Sequence, residues 1–472
     1  MAKTGPLDKP EDSYADIIAK DGSGAPDFLK HAADRDIGTH PVSVERYWSK
    51  DFYDLENKYL WSRSWQMACL ESDIPSVGDC HLYEIADRSL IITRTETGIK
   101  AFHNSCLHRG RKLITHHCKK KEFECPFHAI TWDQNGKLIR NPIAWDMPQW
   151  DEENSRLPEA KTALWGGFIF INMDLNSPDF EDWAAPMIEH FKPYGWDNRY
   201  CGFWFEKHVR ANWKTTAEPF MESHHSQTTH PQLLPAIADT NSQYDFLNNY
   251  ISRQISAAAT ASPTLHPPLS QNEQIELMLK RGDSRVQDID PKNLPENFRI
   301  RTLLADQARD RLAQSSGENF DHATDAEMLD YILYGLFPNM TFWAGYGPKL
   351  VYRWRPEPGN PEGSIMDVLW MVPKDKDAGE GEEPTKRIVL GYDDRFMESD
   401  VGPAPLKIVF DQDFGNIPHI QTGMKSSQSG VVHFSEYTES RLRQMHQMID
   451  ACLLYTSPSP RDQRGSRMPS SA

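Results

Sequence analysis

The stretch "CLHRGRKLITHHCKKKEFECPFH", residues 106–128, begins and ends with a cysteine that is followed closely by a histidine. The first pair is Cys106 and His108, and the second pair is Cys125 and His128. Two thiolates and two imidazoles on two short loops are typical of a metal site. Zinc binds such a set tetrahedrally, whereas a [2Fe-2S] cluster can take both cysteines on one iron and both histidines on the other. The ligand types alone leave both alternatives open.

The composition indicates a soluble protein of several domains. The chain has 472 residues, of which 39% are hydrophobic and 25% are charged, and such values exclude the disordered and fibrous classes. At roughly 100–200 residues a domain, this length predicts two or three domains. The formal net charge of -17 argues against a nucleic-acid partner, because binding to phosphates needs a basic surface.

The sequence also predicts a cytoplasmic protein that has no membrane partner. No apolar run approaches the ~18 residues that a membrane span needs. The opening residues, "MAKTGPLDKPEDSYADII", lack the basic and apolar regions of a secretory signal. In that compartment the seven cysteines are better interpreted as thiols or metal ligands than as a disulfide framework.

Changes of composition predict the domain organisation. Residues 1–43 are polar and form a predicted N-terminal arm. Residues 44–180 contain the β-prone runs "DCHLYEIADRSLIITRTETGIKAF" and "ALWGGFIFINM", the second interpreted as one buried strand, and the metal-ligand loops lie between these runs. Residues 181–451 form a second predicted domain, with strands at "NMTFWAGYGPKLVYRWRP" and "GSIMDVLWMVP" and a helix after Ser435.

The last residues, 452–472, differ from the rest of the chain. They read "CLLYTSPSPRDQRGSRMPSSA", without apolar periodicity, and follow a plausible helix directly. One alternative is a disordered tail rich in serine and proline. The string resembles the conceptual translation of a sequencing-library adapter, and we therefore interpret it as a non-native tail.

The loop motif resembles that of Rieske proteins. "CLHRG" and "CPFH" match the Rieske loops C-x-H-R-G and C-P-Y/F-H, and W-D-x-x-G-x-L follows. Rieske proteins of respiratory complexes carry an additional cysteine in each loop, where this chain has Arg111 and Phe127. The resemblance therefore implies the oxygenase and ferredoxin branch, with a [2Fe-2S] cluster on the four residues. Two departures, Leu107 in place of proline and "HAITW" in place of H-G-W, lie between or beyond the ligands.

A second set of candidate ligands lies in "NWKTTAEPFMESHHSQTTH", which contains Glu222, His225 and His230. Residues five apart on a straight helix differ by roughly 500° of rotation and do not share a face. The two histidines can bind one metal only if a turn is widened or the helix ends between them. A histidine-rich helix end without a metal is the alternative.

This segment resembles the iron-binding region of Rieske non-haem iron oxygenases, in order and spacing. The resemblance implies that His225 and His230 bind a mononuclear Fe(II) and that Asn212 lies near it. Glu222 then occupies the position of the acidic residue that links a cluster histidine to an iron-bound histidine. Most members have Asp there, and Glu occurs in oxygenases of quaternary ammonium compounds.

A 2-His-1-carboxylate triad needs a third ligand, and it leaves iron positions open for dioxygen. In the family this ligand is an Asp near the C-terminus, ahead of a Q-x-G stretch. "VFDQDFGNIPHIQTGMKSS" fits that description. The distance to Gln421 and Gly423 favours Asp413, with Asp411 as the second candidate.

The resemblance implies an α+β fold. It comprises a small all-β Rieske domain and a larger catalytic domain, whose antiparallel sheet is flanked by helices in the helix-grip arrangement. Residues 235–330, where the resemblance is weak, are expected to contain the substrate pocket. Candidates for an apolar lining are Phe220, Phe337, Phe342 and Trp343, for which core packing is the alternative.

The implied function is that of the terminal oxygenase component of a Rieske system. Such a component hydroxylates an organic, here aromatic, substrate with O₂ and with electrons from NAD(P)H. No G-x-G-x-x-G opens a helix in this sequence, so we expect a separate NAD(P)H-dependent reductase, with or without a ferredoxin. The resemblance implies a homotrimer, with or without a small β-subunit, in which the cluster of one subunit faces the iron of the next.

Three other functions stay open from the sequence. A Rieske monooxygenase or demethylase acting on a methoxy, N-methyl or quaternary ammonium compound would use the same iron. An electron carrier with an inactive second domain would need only the cluster. A zinc-stabilised binding module would need neither iron site.

Overall fold

The computed structural model describes residues 12–151, 154–374 and 385–454. They form two compact units, one of residues 12–47 and 183–444 and the other of residues 48–182 and 445–454. The domain boundaries set out above stay a prediction, and residues 1–11 and 455–472 lie outside the described residues. The contacts assign residues 44–47 to the larger unit and the end of the last helix to the smaller one.

The described strands are numbered in chain order. They are β1 (Val42–Ser43), β2 (Gln66–Leu70), β3 (Asp79–Ile85), β4 (Arg88–Thr95), β5 (Gly98–His103), β6 (Cys118–Lys119), β7 (Glu122–Glu124), β8 (Thr131–Asp133), β9 (Leu138–Arg140), β10 (Glu159–Trp165), β11 (Phe168–Asn172), β12 (Arg199–Val209), β13 (Gln243–Phe246), β14 (Ile251–Ser256), β15 (Tyr331–Leu336), β16 (Met340–Ala344), β17 (Lys349–Glu357), β18 (Asn360–Pro373), β19 (Lys386–Leu390) and β20 (Val431–Val432).

The described helices are numbered in the same way. The α-helices are α1 (Tyr14–Ala19), α2 (Asp27–Lys30), α3 (Lys50–Leu55), α4 (Phe180–Phe191), α5 (Trp213–Ala217), α6 (Ser226–Thr229), α7 (Gln271–Lys280), α8 (Ile300–Ser316), α9 (Asp325–Leu329), α10 (Ala404–Met424) and α11 (Ser440–Leu454). Glu56–Leu60 is a π turn, and short 3₁₀ turns occupy Val44–Tyr47, Glu71–Asp73, Ala144–Asp146, Lys192–Tyr194, Trp196–Asn198, Glu218–Met221, Ser284–Val286 and Phe396–Glu398. None of the described helices is long and apolar enough to cross a membrane.

The smaller unit carries two antiparallel sheets. One has the strand order β2-β11-β10-β5-β4-β3-β6, and the other has the order β7-β8-β9. The run predicted as one buried strand is a hairpin of β10 and β11, so that prediction was wrong. Gly166 and Gly167 have φ values of 58° and 78°, and glycine adopts this backbone without strain, which permits the tight turn. The two ligand loops follow β5 and β7.

The larger unit is built on an eight-stranded sheet of order β13-β14-β15-β16-β17-β18-β12-β19. Its pairs are antiparallel except for β12 with β19. Helix α5 contacts β17 and β18, and α10 contacts α5, so these helices cover part of the sheet. The predicted fold class, an all-β Rieske domain beside a larger domain with an antiparallel sheet and helices, is confirmed.

Candidate metal sites

The two loops of the smaller unit share one backbone pattern. The N–H of Cys106 donates to the carbonyl of Arg111 at 2.9 Å, and the N–H of Cys125 donates to that of Ile130 at 2.8 Å. Four residues after each cysteine, Gly110 and Ala129 close the loop through an N–H to the cysteine carbonyl. Both residues are left-handed, with φ values of 74° and 55°. The two cysteines therefore occupy equivalent positions in two matching loops.

The loops bring the histidines together at their δ nitrogens. Nδ1 of His108 lies 3.2 Å from Nδ1 of His128. Two nitrogens on one tetrahedral metal, at ~2.0–2.1 Å from it, lie about 3.4 Å apart. The separation therefore fits two histidines on a shared metal ion.

The positions of the four residues distinguish the two candidate metals. All ligands of one zinc lie within about 4.6 Å of each other, since its longest bonds are ~2.3 Å. In these loops, as the structure describes them, no three possible ligand atoms lie within 4.8 Å of one another. A two-iron cluster needs a wider set, with one ligand pair on each iron. The donor set fits the cluster and not a single zinc.

Burial differs between the two ligand pairs. Cys106 and Cys125 are 3% and 1% exposed and lie in an apolar cluster with Phe123 and Trp132, while His108 and His128 are only half-buried. This arrangement puts the sulfur side in the core and the imidazole side towards the surface. The surface side is the one from which an electron can be passed to another protein.

In the larger unit the backbone around Pro219 is not one continuous helix. Helix α5 ends at Ala217, a 3₁₀ turn carries Pro219, and Glu222 is extended with φ −141° and ψ 172°. Helix α6 is one turn long, with His225 before it and His230 after it. Proline lacks the N–H that would continue α5, which explains the break. The helix ends between the two histidines, the second of the two arrangements that permit shared ligation.

His225, His230 and Asp413 converge. Oδ1 of Asp413 lies 2.9 Å from Nε2 of His230 and 3.6 Å from Nε2 of His225. The ligand atoms of the three residues lie within 4.8 Å of each other. Asp413 comes from α10, which packs on α5, so tertiary contact and not sequence proximity completes the trio. The set fits a 2-His-1-carboxylate iron site.

The second nitrogen of each histidine has a partner. Nδ1 of His225 lies 2.5 Å from Oε1 of Glu222, and Nδ1 of His230 lies 2.8 Å from Oε1 of Gln412. Nε2 of Gln232 donates to the same amide oxygen at 2.7 Å. Such bonds fix the tautomer of a histidine and turn its other nitrogen to a metal. Gln412 was not found from the sequence, although its position next to Asp413 was a signal.

Glu222 is held as a carboxylate by its neighbours. Burial alone would raise its pKa, but bonding to His224 and His225 outweighs this effect and lowers the pKa to about 2. Nδ1 of His224 lies 2.9 Å from Oε2. Both carboxylate oxygens of Glu222 therefore face imidazoles of this chain.

Two other predicted residues lie elsewhere. Asn212 caps α5 through its side-chain oxygen, and its Nδ2 donates to the carbonyl of Pro361 at 2.6 Å. Asp411 accepts the backbone N–H groups of Phe396 and Met397 at 2.8 and 3.3 Å. The structure thus brings Asp413 to the histidines, and not Asp411 or the side chain of Asn212.

A cavity of about 240 Å³ adjoins the trio in the larger unit. Its polar lining includes Glu218, Glu222, His225 and Asp413, and its apolar lining includes residues of α10. Glu218 accepts a hydrogen bond from the Tyr47 hydroxyl at 2.7 Å, and burial raises its pKa to about 8.

A group of aromatic rings in the larger unit lies outside the residues that line this cavity, and one of its phenols is near Asp413. The ring centre of Phe220 lies 5.3 Å from that of Tyr352 and 5.8 Å from that of Trp354. Burial and the charge of Asp413 raise the pKa of Tyr352, which places this phenol close to the trio. Of the other predicted lining residues, Phe342 is fully buried, Phe337 is 8% exposed, and Trp343 contacts Tyr352 ring to ring at 6.1 Å.

Both units match known protein families. Residues 64–151 match the family described as Rieske [2Fe-2S] domain, and residues 197–454 match that described as ring hydroxylating alpha subunit (catalytic domain). The chain belongs to the Rieske ring-hydroxylating oxygenase family. The family predicted from the motifs is thereby confirmed, as are its cofactors, a Rieske [2Fe-2S] cluster and a mononuclear non-haem iron.

Individual relatives in this oxygenase family differ in substrate. The chain is 27% identical over 237 residues to the glycine betaine monooxygenase oxygenase subunit of Chromohalobacter salexigens, covering 48% of this chain and 53% of that protein. It is 27% identical over 207 residues to the 2-aminobenzenesulfonate 2,3-dioxygenase alpha subunit of an Alcaligenes species, covering 43% and 52%. The chain spans about half the length of these curated relatives.

The fold is also that of solved oxygenase structures. A quaternary ammonium Rieske monooxygenase in complex with L-carnitine superposes with a TM-score of 0.59 at 16% identity, covering 88% of this chain and 96% of the other. At this identity the likeness extends to the fold only.

Proposed function

We propose that this chain is the terminal oxygenase component of a Rieske system, which hydroxylates an organic substrate with O₂ and electrons derived from NAD(P)H. The observation that supports this best is the convergence of His225, His230 and Asp413 within 4.8 Å, in the same chain as the Rieske loops. An electron carrier would not need this trio. A zinc-stabilised module would need only the four loop residues.

In this proposal Cys106 and Cys125 bind one iron of the cluster, and His108 and His128 bind the other. The matching loops support this assignment, because each then contributes one residue to each iron. The half-buried histidines are the exit for electrons. Burial of the two cysteines keeps water from the sulfur side of the site.

His225, His230 and Asp413 would hold the mononuclear iron, which when bound activates O₂ with electrons supplied one at a time. Glu222 and Gln412 orient the two imidazoles by accepting their Nδ1–H groups. The carboxylate of Asp413 contributes the negative charge that a divalent metal requires. Asn212 supports the site by capping α5, and a direct catalytic role for it stays a prediction.

Glu222 is the proposed route for electrons from the cluster of a neighbouring subunit. Its carboxylate lies in the wall of the cavity beside His225, where a histidine of another copy could reach it. The homotrimer is proposed from the family resemblance, which implies that the cluster of one subunit faces the iron of the next. A small β-subunit stays an open part of the proposal.

The substrate is proposed to be aromatic. Ile417, Ile420 and Met424 give the cavity beside Asp413 an apolar side, which suits the ring of an apolar substrate. The second candidate is a quaternary ammonium or N-methyl compound. Glu222 in place of the common Asp and the similarity to the glycine betaine monooxygenase oxygenase subunit favour it.

The proposed partners are a separate NAD(P)H-dependent reductase, with or without a ferredoxin. A cytoplasmic location is proposed from the cysteine usage, because the described cysteines form no disulfide. Reduced thiols are typical of that compartment.

Metal analysis followed by oxygen uptake tests the function. After anaerobic reconstitution with Fe(II), we expect about three irons and about two acid-labile sulfides per chain. About two irons with two sulfides would reduce the chain to an electron carrier, and zinc without sulfide would refute both sites. Substrate-dependent O₂ uptake with naphthalene, glycine betaine and carnitine would then separate the two substrate classes.

A further inference from the structure

Two cysteines outside the metal sites face each other across two strands. Cys80 on β3 and Cys118 on β6 are direct partners in an antiparallel pairing, next to Asp79 opposite Lys119. The N–H of Lys120 donates to the carbonyl of Gly78 at 2.8 Å, which extends the same register by one pair. The pairing of the two cysteines is therefore fixed by the sheet and not by side-chain placement alone.

This geometry is close to that of a disulfide. Direct partners on antiparallel strands have Cα atoms about 4.5–5.5 Å apart and Cβ atoms about 4.5–5.5 Å apart, on the same face. A disulfide needs Cα atoms roughly 4.4–6.8 Å apart and Cβ atoms roughly 3.5–4.5 Å apart. A shift of about 1 Å between β3 and β6 would bring the sulfurs of Cys80 and Cys118 into bonding range.

The pair lies beside the cluster ligands. Cys80 is 2% exposed and belongs to the same apolar group as Cys106 and Cys125, and the half-buried Cys118 packs against this group. In the chain, Cys118 lies between the two ligand loops. A bond from Cys118 to β3 would therefore restrain the segment that joins His108 to Cys125.

We propose that Cys80 and Cys118 form an oxidation site, at which a peroxide converts the two thiols into a disulfide that joins β6 to β3. The half-buried Cys118 meets the oxidant first. Its S–H bond and the O–O bond of hydrogen peroxide break, an S–OH bond forms, and one water leaves. The sulfur of Cys80 then displaces the hydroxyl as a second water, so that the peroxide takes up two electrons and two protons.

The reaction at this site is slow. Burial raises the pKa of the Cys80 thiol to about 11 and also raises that of Cys118. Since the thiolate is the reactive form, few molecules react at neutral pH unless peroxide is in excess.

Peptide mapping of the full cluster-containing chain tests the proposal. The protein is treated with excess hydrogen peroxide, alkylated under denaturing conditions and digested without reductant. We expect a peptide pair joined through Cys80 and Cys118, two hydrogens lighter than the two thiol peptides and separated by dithiothreitol. Alkylation of both cysteines, or a sulfinic acid at Cys118 without a linked pair, would overturn the proposal.

Two variants control the assignment. Cys118→Ser should abolish the linked pair, and Cys201→Ser, which alters a buried cysteine of the other unit, should leave it at the wild-type yield. The visible absorbance of the cluster before treatment shows that each variant is folded. A linked pair that persists in Cys118→Ser would assign the bond to another cysteine and refute the site.

Discussion

The Nδ1 atom of His225 lies 2.5 Å from Oε1 of Glu222, three residues earlier in the chain. This contact joins a candidate iron ligand to a carboxylate that also lines the adjacent cavity. Because its pKa is lowered to about 2, Glu222 stays charged at neutral pH, and its two oxygens face the backbone N–H and Nδ1 of His225.

Replacement of this carboxylate tests the electron route. Glu222→Gln keeps the shape of the side chain but removes the charge, so we expect normal iron and sulfide content and a loss of turnover of at least ~100-fold. The measurement is the rate at which the reduced cluster is reoxidised by O₂ in a single turnover. Glu436→Gln, an exposed position, is the control. Wild-type reoxidation in Glu222→Gln would remove the proposed role.

The choice between two aspartates is tested by iron content. Asp413→Asn should bind less than one tenth of the mononuclear iron, because an amide replaces the anionic ligand. Asp411→Asn should retain it, since its amide oxygen can still accept the N–H group of Phe396. Metal analysis with the sulfide content as internal reference decides. The opposite result would assign the third ligand to Asp411.

Gln412 should affect metal affinity without touching the metal. Gln412→Leu removes the acceptor that orients His230, and outer partners of this kind are worth roughly 10–100-fold in metal affinity. Titration with Co(II), followed by absorbance, measures the change, and Gln412→Glu should recover most of the affinity. If Gln412→Leu binds Co(II) as tightly as the wild type, the amide has no orienting role.

Ala129 and Gly110 occupy matching positions in the two ligand loops, and exchanging alanine and glycine at them should change the free energy of unfolding in opposite directions. Ala129 has a φ of 55°, a left-handed backbone that costs most residues about 1–2 kcal/mol and glycine little. We expect Ala129→Gly to raise the free energy of unfolding by about 1 kcal/mol, the net gain after glycine's greater unfolded-state entropy. Gly110→Ala, at a φ of 74°, should lower it. Thermal unfolding at equal cluster content is the measurement, and equal shifts of the same sign would contradict the argument.

The buried carboxyl of Glu218 should make the free energy of unfolding depend on pH. Its pKa rises from 4.5 to about 8 through burial, so the folded state holds a proton that the unfolded state releases. This contribution to stability is fully present below pH ~4.5 and is lost as the pH rises to about 8. Glu218→Gln should flatten that part of the stability curve, measured by urea unfolding between pH 5 and 8. An unchanged slope would show that Glu218 is charged in the folded protein.

Short sequence motifs were enough to predict some of the residues of both metal sites. The spacing of Cys106, His108, Cys125 and His128 marks the loops, because their ligands are close in sequence. Gln412 was missed, since its partner His230 lies 182 residues away and only tertiary packing joins them. Helix α10 was also missed, because its interior Pro418 and Gly415 argue against a helix. Its 21 residues are helical because the fold stabilises them.

The matching ligand loops have a consequence for how the site acquires its metal. Because each loop would give one ligand to each iron, neither iron can be bound until both loops have formed, so assembly of the cluster is all-or-none. In an unfolded chain the same four residues would attract zinc. In the described loops, no three of their ligand atoms lie within 4.8 Å of each other, so a zinc ion would reach at most two. The folded domain thus presents the four residues as two pairs, an arrangement that suits a two-iron cluster and not a single zinc ion.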